Sequence, residues 1–168
     1  MNIIETALPG MLIIEPHVFS DECVFFMDIW NAGAFAAAGL DLAFVQDNHN
    51  CSQKGALRGL YIQKPEPQRK LVRVTSGAVF DVSVDLRASS PSLGQWVRVD
   101  LGAQNKRMIW AQEGFAYGLL TLEVDTYCLY KCTAPYPPAS EQTLIRIWVL
   151  ITQANGQIGT ALQSTAPA

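Results

Sequence analysis

The fold class is decided by the stretch Val79-Phe-Asp-Val-Ser-Val-Asp-Leu-Arg87, in which apolar and polar residues alternate. Because successive side chains of a β-strand point to opposite faces, the even-numbered apolar residues share one face and the odd-numbered polar residues share the other. Two interpretations of the polar face are open. Either it lines the interior of a barrel, which would place Asp81 inside, or it faces water.

Similar runs recur from about Val45 to Thr133, separated by Gly, Pro, Asn and Ser. The candidate strands are residues 70–74, 79–86, 95–101, 108–110, 118–123, 126–132 and 144–151. Ser76-Gly77 and Ser92-Leu-Gly94 are typical of turns, and we expect a loop to present Phe115-Ala-Tyr-Gly118 after Gly114. Many short strands with turn residues between them predict an all-β fold, either a sandwich or a barrel.

The rest of the chain contributes less regular structure. Residues 31–40 are the best helix candidate, because this segment is rich in alanine, the residue that favours a helix most. Ala134-Pro-Tyr-Pro-Pro-Ala139 is a proline-rich connector, and residues 152–168 form a loose tail of small residues. With 168 residues, of which 49% are hydrophobic, the chain is expected to fold as one domain over residues 1–168.

Composition argues against several function classes. The formal net charge of −3 provides no basic surplus for binding nucleic acid, and no apolar run approaches the roughly 20 residues of a membrane span. Met1-Asn-Ile-Ile-Glu-Thr6 has no basic segment leading into an apolar stretch, so we expect a cytoplasmic protein.

The four cysteines, Cys23, Cys51, Cys128 and Cys132, include no Cys-x-x-Cys pair, and we expect reduced thiols. Cys128 and Cys132 lie on an apparent strand, where an even spacing places both on one face. Because the chain has only two histidines, a zinc site is not favoured, and we expect neither a metal nor another cofactor.

Three candidate strands each carry a charged residue that bears on function. Arg58 lies in Gly55-Ala-Leu-Arg-Gly-Leu-Tyr-Ile-Gln63, Lys70 begins the next strand, and Asp81 lies in the alternating one. If these strands surround one cavity, two cations and a carboxylate converge there. Such a constellation suits an anionic substrate.

Several motifs together resemble the dTDP-4-dehydrorhamnose 3,5-epimerase family over roughly residues 1–141. They are Phe44-Val-Gln-Asp-Asn-His49, Leu57-Arg-Gly-Leu60, Val79-Phe-Asp-Val82, Ser90-Pro-Ser-Leu-Gly-Gln-Trp96, Asn105, Trp110, Gly114-Phe-Ala-Tyr-Gly118 and Leu129-Tyr-Lys-Cys-Thr133. The resemblance implies a cupin fold, a double-stranded β-helix or jelly roll with short peripheral helices. It also implies a homodimer in which the partner completes each nucleotide site.

The resemblance implies a reaction as well. A 4-keto-6-deoxy hexose attached to dTDP would be inverted at C3 and C5, which requires a base, a group that stabilises the enolate, and an acid. By the resemblance, Lys70 would stabilise the enolate, Tyr130 would donate the proton, and Asp81 would tune neighbouring groups. Arg58 would bind the sugar nucleotide, and Gln46 and Asn48 would line the nucleotide pocket. Trp110 and Tyr136 would pack against thymine or the sugar.

Several departures from the family pattern fall where that pattern carries chemistry or shape. Tyr61 stands in place of the histidine base, and Tyr117 in place of a second active-site histidine. Cys23-Val24 replaces Arg-Gly, Gln112 replaces a turn proline, and the segment from about residue 142 to 168 lacks the family's Trp-Asn-Asp-Pro stretch and later aspartate. An unperturbed tyrosine titrates near 10, so only about one in a thousand is a phenolate at pH 7.

Three hypotheses follow from these departures. The first is an epimerase of the rhamnose pathway whose turnover is impaired. The second is a homologue that binds a nucleotide sugar or serves a structural role without catalysis. The third is a related cupin that inverts one carbon or moves the ketone, with Tyr61 adapted to that reaction. His49 has the chemistry of a base, but it matches a structural or peripheral family position.

Overall fold

The protein was analysed as a computed structural model, which describes residues 1–20, 22 and 25–144. The strands are β1 Asn2–Glu5, β2 Met11–Glu15, β3 Val18–Phe19, β4 Phe26–Met27, β5 Gln46–Ser52, β6 Leu57–Gln63, β7 Lys70–Ser76, β8 Ala78–Asp85, β9 Trp96–Gly102, β10 Met108–Ala111, β11 Phe115–Thr121, β12 Thr126–Cys132 and β13 Glu141–Thr143. One α-helix, α1, spans Ala32–Ala37, and a short 3-10 helix spans Pro138–Ser140. Cys23-Val24, most of the predicted strand at 144–151 and the predicted tail lie outside the described residues.

The strands form two main antiparallel sheets. The six-stranded sheet has the order β1-β2-β10-β7-β12-β5, and the five-stranded sheet has the order β13-β6-β11-β8-β9. Strands β3 and β4 pair separately as a small hairpin. The predicted all-β fold is therefore confirmed. In the described part of the chain, no helix is long and apolar enough to cross a membrane.

Strand β8 shows which face of the alternating stretch is inside. Asp81, Ser83 and Asp85 are all fully buried, so the polar face lines the interior and does not face water. Phe80 and Val82 lie on the other face, in an apolar cluster on the outside of the five-stranded sheet. The space between the sheets is filled mainly by a separate apolar cluster that takes residues from both.

Helix α1 covers the outer face of the six-stranded sheet. The Asn31 side chain caps it by accepting a hydrogen bond from the Ala34 N–H at 3.1 Å, and Gly39, at φ +82°, follows its end. Phe35, the buried residue of the helix, joins an apolar cluster with Trp30 and Trp110. The predicted helix at 31–40 is confirmed in a shorter form.

A buried ionic cluster holds the turn after β8. Asp85 accepts hydrogen bonds from Arg87 Nη2 at 2.7 Å, from Ser90 Oγ at 2.6 Å and from Ser92 Oγ at 2.7 Å. Burial raises the pKa of Asp85, but these hydrogen bonds outweigh it and hold the pKa well below its usual range. The turn that leads to Trp96 is thereby fixed to the end of the strand.

Strand β11 corrects one prediction. Phe115-Ala-Tyr-Gly118 is not presented by a loop, because strand β11 begins at Phe115 and pairs with β8 along its whole length. The predicted strand at 118–123 therefore begins three residues too late. The register of β11 against β6 shifts between Tyr117 and Leu119, and at this irregularity Gly59 of β6 adopts a φ of +107°.

Strands β6 and β11 approach too closely at this irregularity for a side chain at position 59. A Cβ on Gly59 would lie 2.7 Å from both Gly118 Cα and Tyr117 O, whereas a Cβ on Gly55, at φ +82°, would meet nothing within 4 Å. Gly59→Ala should therefore cost about 3 kcal/mol, the sum of left-handed strain and overpacking. Gly55→Ala, with the strain alone, should cost about 1 kcal/mol. Urea denaturation of both variants measures the difference, and equal losses would disprove the close approach.

Candidate active site

A cavity of about 100 Å³ lies between the two sheets. Its functional lining residues are Arg58, Tyr61, Lys70, Tyr117, Cys128 and Tyr130. Tyr61, Lys70 and Tyr117 also line a smaller neighbouring cavity of about 20 Å³. Strands of both sheets therefore supply the groups. The two predicted cations, Arg58 and Lys70, meet at this cavity, whereas the predicted carboxylate, Asp81, is not among its lining residues.

Lys70 is held between aromatic rings. Its Nζ lies 5.9 Å from the ring centroid of Tyr117 and 5.7 Å from that of Tyr130, distances at which a cation is attracted to a ring face. Burial lowers the pKa of Lys70, with the nearby Cys132 and Glu141 acting in the opposite direction. The amine is therefore more readily neutral than an exposed lysine.

Asp81 lies behind the cavity wall, where the Tyr117 hydroxyl donates a short hydrogen bond to its Oδ2. Burial raises the pKa of Asp81 well above its ordinary value, and the hydrogen bond offsets only part of this effect. The pKa of Tyr117 is also raised well above its ordinary value, by burial and then by Asp81. Tyr117 thus stays a phenol and separates the carboxyl group from the cavity.

The two tyrosines that replace histidines face each other across neighbouring strands, since Tyr61 of β6 pairs with Tyr117 of β11. Tyr130 approaches the cavity from β12, in the opposite sheet, and burial raises its pKa. Both histidines of the chain, His17 and His49, are among the described residues, and neither lines this cavity. His49 is exposed and packs near Tyr127, with ring centroids 5.5 Å apart.

Arg58 is exposed at the edge of the cavity. Its Nε donates to Ser52 Oγ at 2.8 Å, and its Nη2 donates to the Cys51 carbonyl at 3.4 Å. These contacts with strand β5 hold the guanidinium group in place. They leave it further N–H donors for an anionic ligand.

Gln46, Asn48 and Tyr136 form a hydrogen-bonded group beside the cavity. The Gln46 Nε2 donates to Asn48 Oδ1 at 2.9 Å, and the Tyr136 backbone N–H donates to Gln46 Oε1 at 2.8 Å. Asn48 Nδ2 lies 3.7 Å from Cys132 Sγ. The structure thus brings these three predicted residues together, although none of them forms the cavity wall itself.

Trp110 is a correction to the predicted site. It is 1% exposed and belongs to the apolar cluster on the outer face of the six-stranded sheet, where its ring centroid lies 6.3 Å from that of Phe44. Its neighbours along β10, Ile109 and Ala111, point into the interior instead. The predicted packing of Trp110 against thymine or the sugar is therefore wrong.

Two cavity residues were missed by the sequence reasoning. Cys128 and Asn50 both line the cavity. On β12, Cys128 has the same parity as Tyr130, a signal that could have placed it on the cavity side. Burial, and then Asp81, raise the pKa of the Cys128 thiol to about 11. Among the described residues, no group of three or more His, Cys, Asp or Glu side chains is arranged to hold a metal.

The fold is an antiparallel jelly roll, and an amine, a guanidinium and phenols surround its internal cavity. This architecture is typical of a cupin-type enzyme that acts on a small molecule. The chain belongs to the dTDP-4-dehydrorhamnose 3,5-epimerase family, whose sequence model matches residues 5–147. The resemblance predicted from the motifs is confirmed.

Individual relatives agree with this family. A dTDP-4-dehydrorhamnose 3,5-epimerase from Salmonella typhimurium is 50% identical over 147 residues, which cover 86% of this chain and 80% of the relative. A crystal structure of a dTDP-6-deoxy-D-glucose-3,5-epimerase from Legionella pneumophila, in complex with dTDP-4-keto-L-rhamnose, superposes with a TM-score of 0.82 at 46% identity, covering 85% of this chain and 77% of that one. The epimerase from Bacillus anthracis, with TDP and pyrophosphate bound, gives 0.83 at 36% identity, covering 85% and 83%.

The buried Asp81 predicts a pH-dependent stability. Because its pKa is raised in the folded state, its contribution to stability is full below the unfolded value of about 3.9 and is lost as pH rises through the folded pKa. Asp81→Asn removes this loss. The variant should therefore gain on the order of 1 kcal/mol relative to the wild type between pH 4 and pH 8.

Urea denaturation at the two pH values measures this gain. The matched control is Asp41→Asn, the same change at an exposed aspartate, which should shift stability by less than about 0.5 kcal/mol at either pH. A constant difference between Asp81→Asn and the wild type at both pH values would contradict the raised pKa.

Proposed function

We propose that the protein acts on a dTDP-linked 4-keto-6-deoxy hexose as a dTDP-4-dehydro-6-deoxy-D-glucose 3,5-epimerase of dTDP-L-rhamnose biosynthesis. The observation that carries the proposal is the cavity that Lys70, Arg58 and Tyr130 share. The names of the relatives support it, and so does the dTDP-4-keto-L-rhamnose bound to the Legionella enzyme.

Each proposed role follows from chemistry that the cavity can perform. Epimerisation next to a ketone requires removal of a carbon-bound proton, stabilisation of the resulting enolate oxygen, and return of a proton. Lys70 in its ammonium form would hold the enolate oxygen, because an enclosed site makes that attraction stronger than it is in water. Tyr130 would donate the proton, since its raised pKa keeps it a phenol.

The nucleotide would be bound at the edge of the cavity. Arg58 offers a cation to the diphosphate. Gln46 and Asn48 present polar amide groups on the neighbouring edge strand, and Tyr136, 44% exposed, can pack against the base or the sugar. Asp81 acts through Tyr117 and does not meet the substrate, because the tyrosine hydroxyl lies between the carboxyl group and the cavity.

A second candidate function is binding of the nucleotide sugar without turnover. The observation that favours it is that Tyr61 and Tyr117 line the cavity where the family pattern has histidines. The chain's own two histidines, both among the described residues, lie elsewhere and cannot remove a proton there. The third hypothesis, a cupin that inverts one carbon or moves the ketone, differs only in its product.

A homodimer is part of the proposal. The β3–β4 hairpin exposes Phe19 and Phe26, 56% and 64% accessible, and Phe25 beside them is 48% accessible. Exposed aromatic side chains of this kind favour a protein interface. Light scattering should therefore give twice the monomer mass.

The cytoplasmic location stays a prediction.

Solvent exchange separates the candidate functions. The protein is mixed with dTDP-4-keto-6-deoxyglucose in deuterium oxide, and incorporation at C3 and C5 is followed by NMR, with product identity checked at the end. Incorporation at both carbons with isomer formation supports the 3,5-epimerase. Thermal stabilisation by dTDP without any exchange supports the binding protein. A product changed at one carbon, or with a moved ketone, supports the third hypothesis.

Restoring an imidazole at position 61 should increase the exchange. Tyr61→His should raise the exchange rate at pH 7 by about 100-fold, the lower end of what a positioned general base contributes. Tyr127→His makes the same change on the outer face of β12, at a residue that is 38% exposed, and should leave the rate unchanged. No gain with Tyr61→His would show that the cavity cannot use a base at this position.

A further inference from the structure

Most titratable groups around the cavity are poor bases at neutral pH. Burial raises the pKa of Tyr130 and of the Cys128 thiol, which reaches about 11. The Tyr117 hydroxyl is committed to Asp81, and the pKa of both groups is raised. Each of these four groups therefore holds its proton more firmly than it would in water.

Lys70 differs from these groups, because burial favours its neutral amine, which is the form that can accept a proton. Within residues 1–20, 22 and 25–144, no carboxylate lies within ion-pair distance of its Nζ, and the described ion pairs all involve other cations. The faces of the Tyr117 and Tyr130 rings lie close to the amine and attract its ammonium form. An amine buried in the cavity without an ion-paired carboxylate nevertheless loses its proton more easily than a surface lysine, because burial lowers its pKa.

Groups on the neighbouring strands determine how much the pKa of Lys70 is lowered. Titratable or charged groups near the amine come from β12, β11, β6 and β13, and they are Tyr130, Cys128, Cys132, Tyr117, Tyr61, Arg58 and Glu141. Cys132 and Glu141 favour the ammonium form, but burial has the larger effect on the pKa of Lys70. The net result is an amine that becomes neutral at a lower pH.

We propose that Lys70, in its neutral form, is the base that removes the proton from the carbon next to the substrate ketone. This inference rests on the epimerase function proposed above. It assigns proton removal to a residue that the family resemblance makes an enolate stabiliser. It also explains how a cavity without a histidine could still enolise a keto sugar.

The step is balanced within the cavity. The lone pair of Lys70 Nζ forms an N–H bond, the C–H bond breaks, and its electron pair becomes the enolate with charge on the ketone oxygen. The new ammonium group stabilises that charge. Tyr130 then gives its hydroxyl proton to the carbon, and the resulting phenolate recovers a proton from the ammonium, directly or through water. Exchange of the ammonium protons with solvent introduces deuterium.

The pH dependence of exchange distinguishes a base from a cation at position 70. If Lys70 is the base, the enzyme-dependent rate rises with pH and levels off below the ordinary lysine pKa of about 10.4. If Lys70 acts only as a cation, the rate falls over the same range as the ammonium form is lost. Rates of deuterium incorporation into dTDP-4-keto-6-deoxyglucose from pH 6 to 9.5, after subtraction of the enzyme-free rate, decide between the two.

Substitution of the lysine provides the second test. Lys70→Arg keeps a positive charge but has no available lone pair, so exchange should fall by about 100-fold and its rise with pH should disappear. Lys54→Arg makes the same change at an exposed turn residue and should leave the rate and the pH profile unchanged. Survival of at least a tenth of the rate in Lys70→Arg would overturn the proposal.

Two further outcomes would also overturn it. Tyr61→Phe should retain the rise of the exchange rate with pH, and loss of that rise would identify Tyr61 as the base instead. A borohydride-trapped adduct of the sugar on Lys70 would identify an imine mechanism in place of direct proton removal. Thermal stabilisation by dTDP is measured for every variant. Wild-type exchange that persists in Lys70→Arg would refute the role of Lys70 alone, whereas absence of exchange in the wild type would refute the proposed epimerase function itself.

Discussion

The charge distribution inside the protein depends on the two aspartates that strand β8 buries and on the hydrogen-bond partners of each carboxyl group. Asp85 receives a guanidinium and two hydroxyl groups, and it anchors the turn that follows the strand. Asp81 receives only the hydroxyl of Tyr117. The difference follows from their positions, since Asp85 ends the strand beside a polar turn, whereas Asp81 lies at the centre of the sheet. One carboxyl group is therefore held as an anion, and the other has a strong tendency to keep its proton.

This difference determines the electrostatics of the cavity. Tyr117 stands between Asp81 and Lys70, and within the described residues the amine meets aromatic faces and has no carboxylate within ion-pair distance. The cation of Arg58 lies at the edge, so positive charge is available to a diphosphate while the inner part is poor in fixed charge. A site of this kind suits the proposed anionic nucleotide sugar and the proposed proton transfers near its ketone, because the inner groups can change their protonation without breaking an ion pair.

The sequence predicts the strands well and the faces only in part. Alternation in β8 defines two faces, but the same pattern suits an exposed sheet, and burial of Asp81 became clear only from the three-dimensional arrangement. The role of Trp110 came from the family resemblance alone, and the run Met108–Ala111, which is apolar throughout and lacks alternation, provides no pattern that could have corrected it. The close approach at Gly59 was also hidden, since it depends on a register shift between two strands. Motif similarity, in contrast, located Arg58 and Tyr61 of β6, Lys70 of β7 and Tyr130 of β12.

The amide group of Gln46 has a fixed orientation, because its oxygen already accepts the Tyr136 backbone N–H. Its nitrogen must then donate to Asn48, whose own nitrogen points towards Cys132. The dipoles along this edge are consequently aligned before any ligand arrives. Binding of a nucleotide there would cost little conformational entropy of the protein, because these side chains are already ordered. Discrimination between nucleobases at this edge would then depend on a fixed arrangement of donors and acceptors and not on rearrangement.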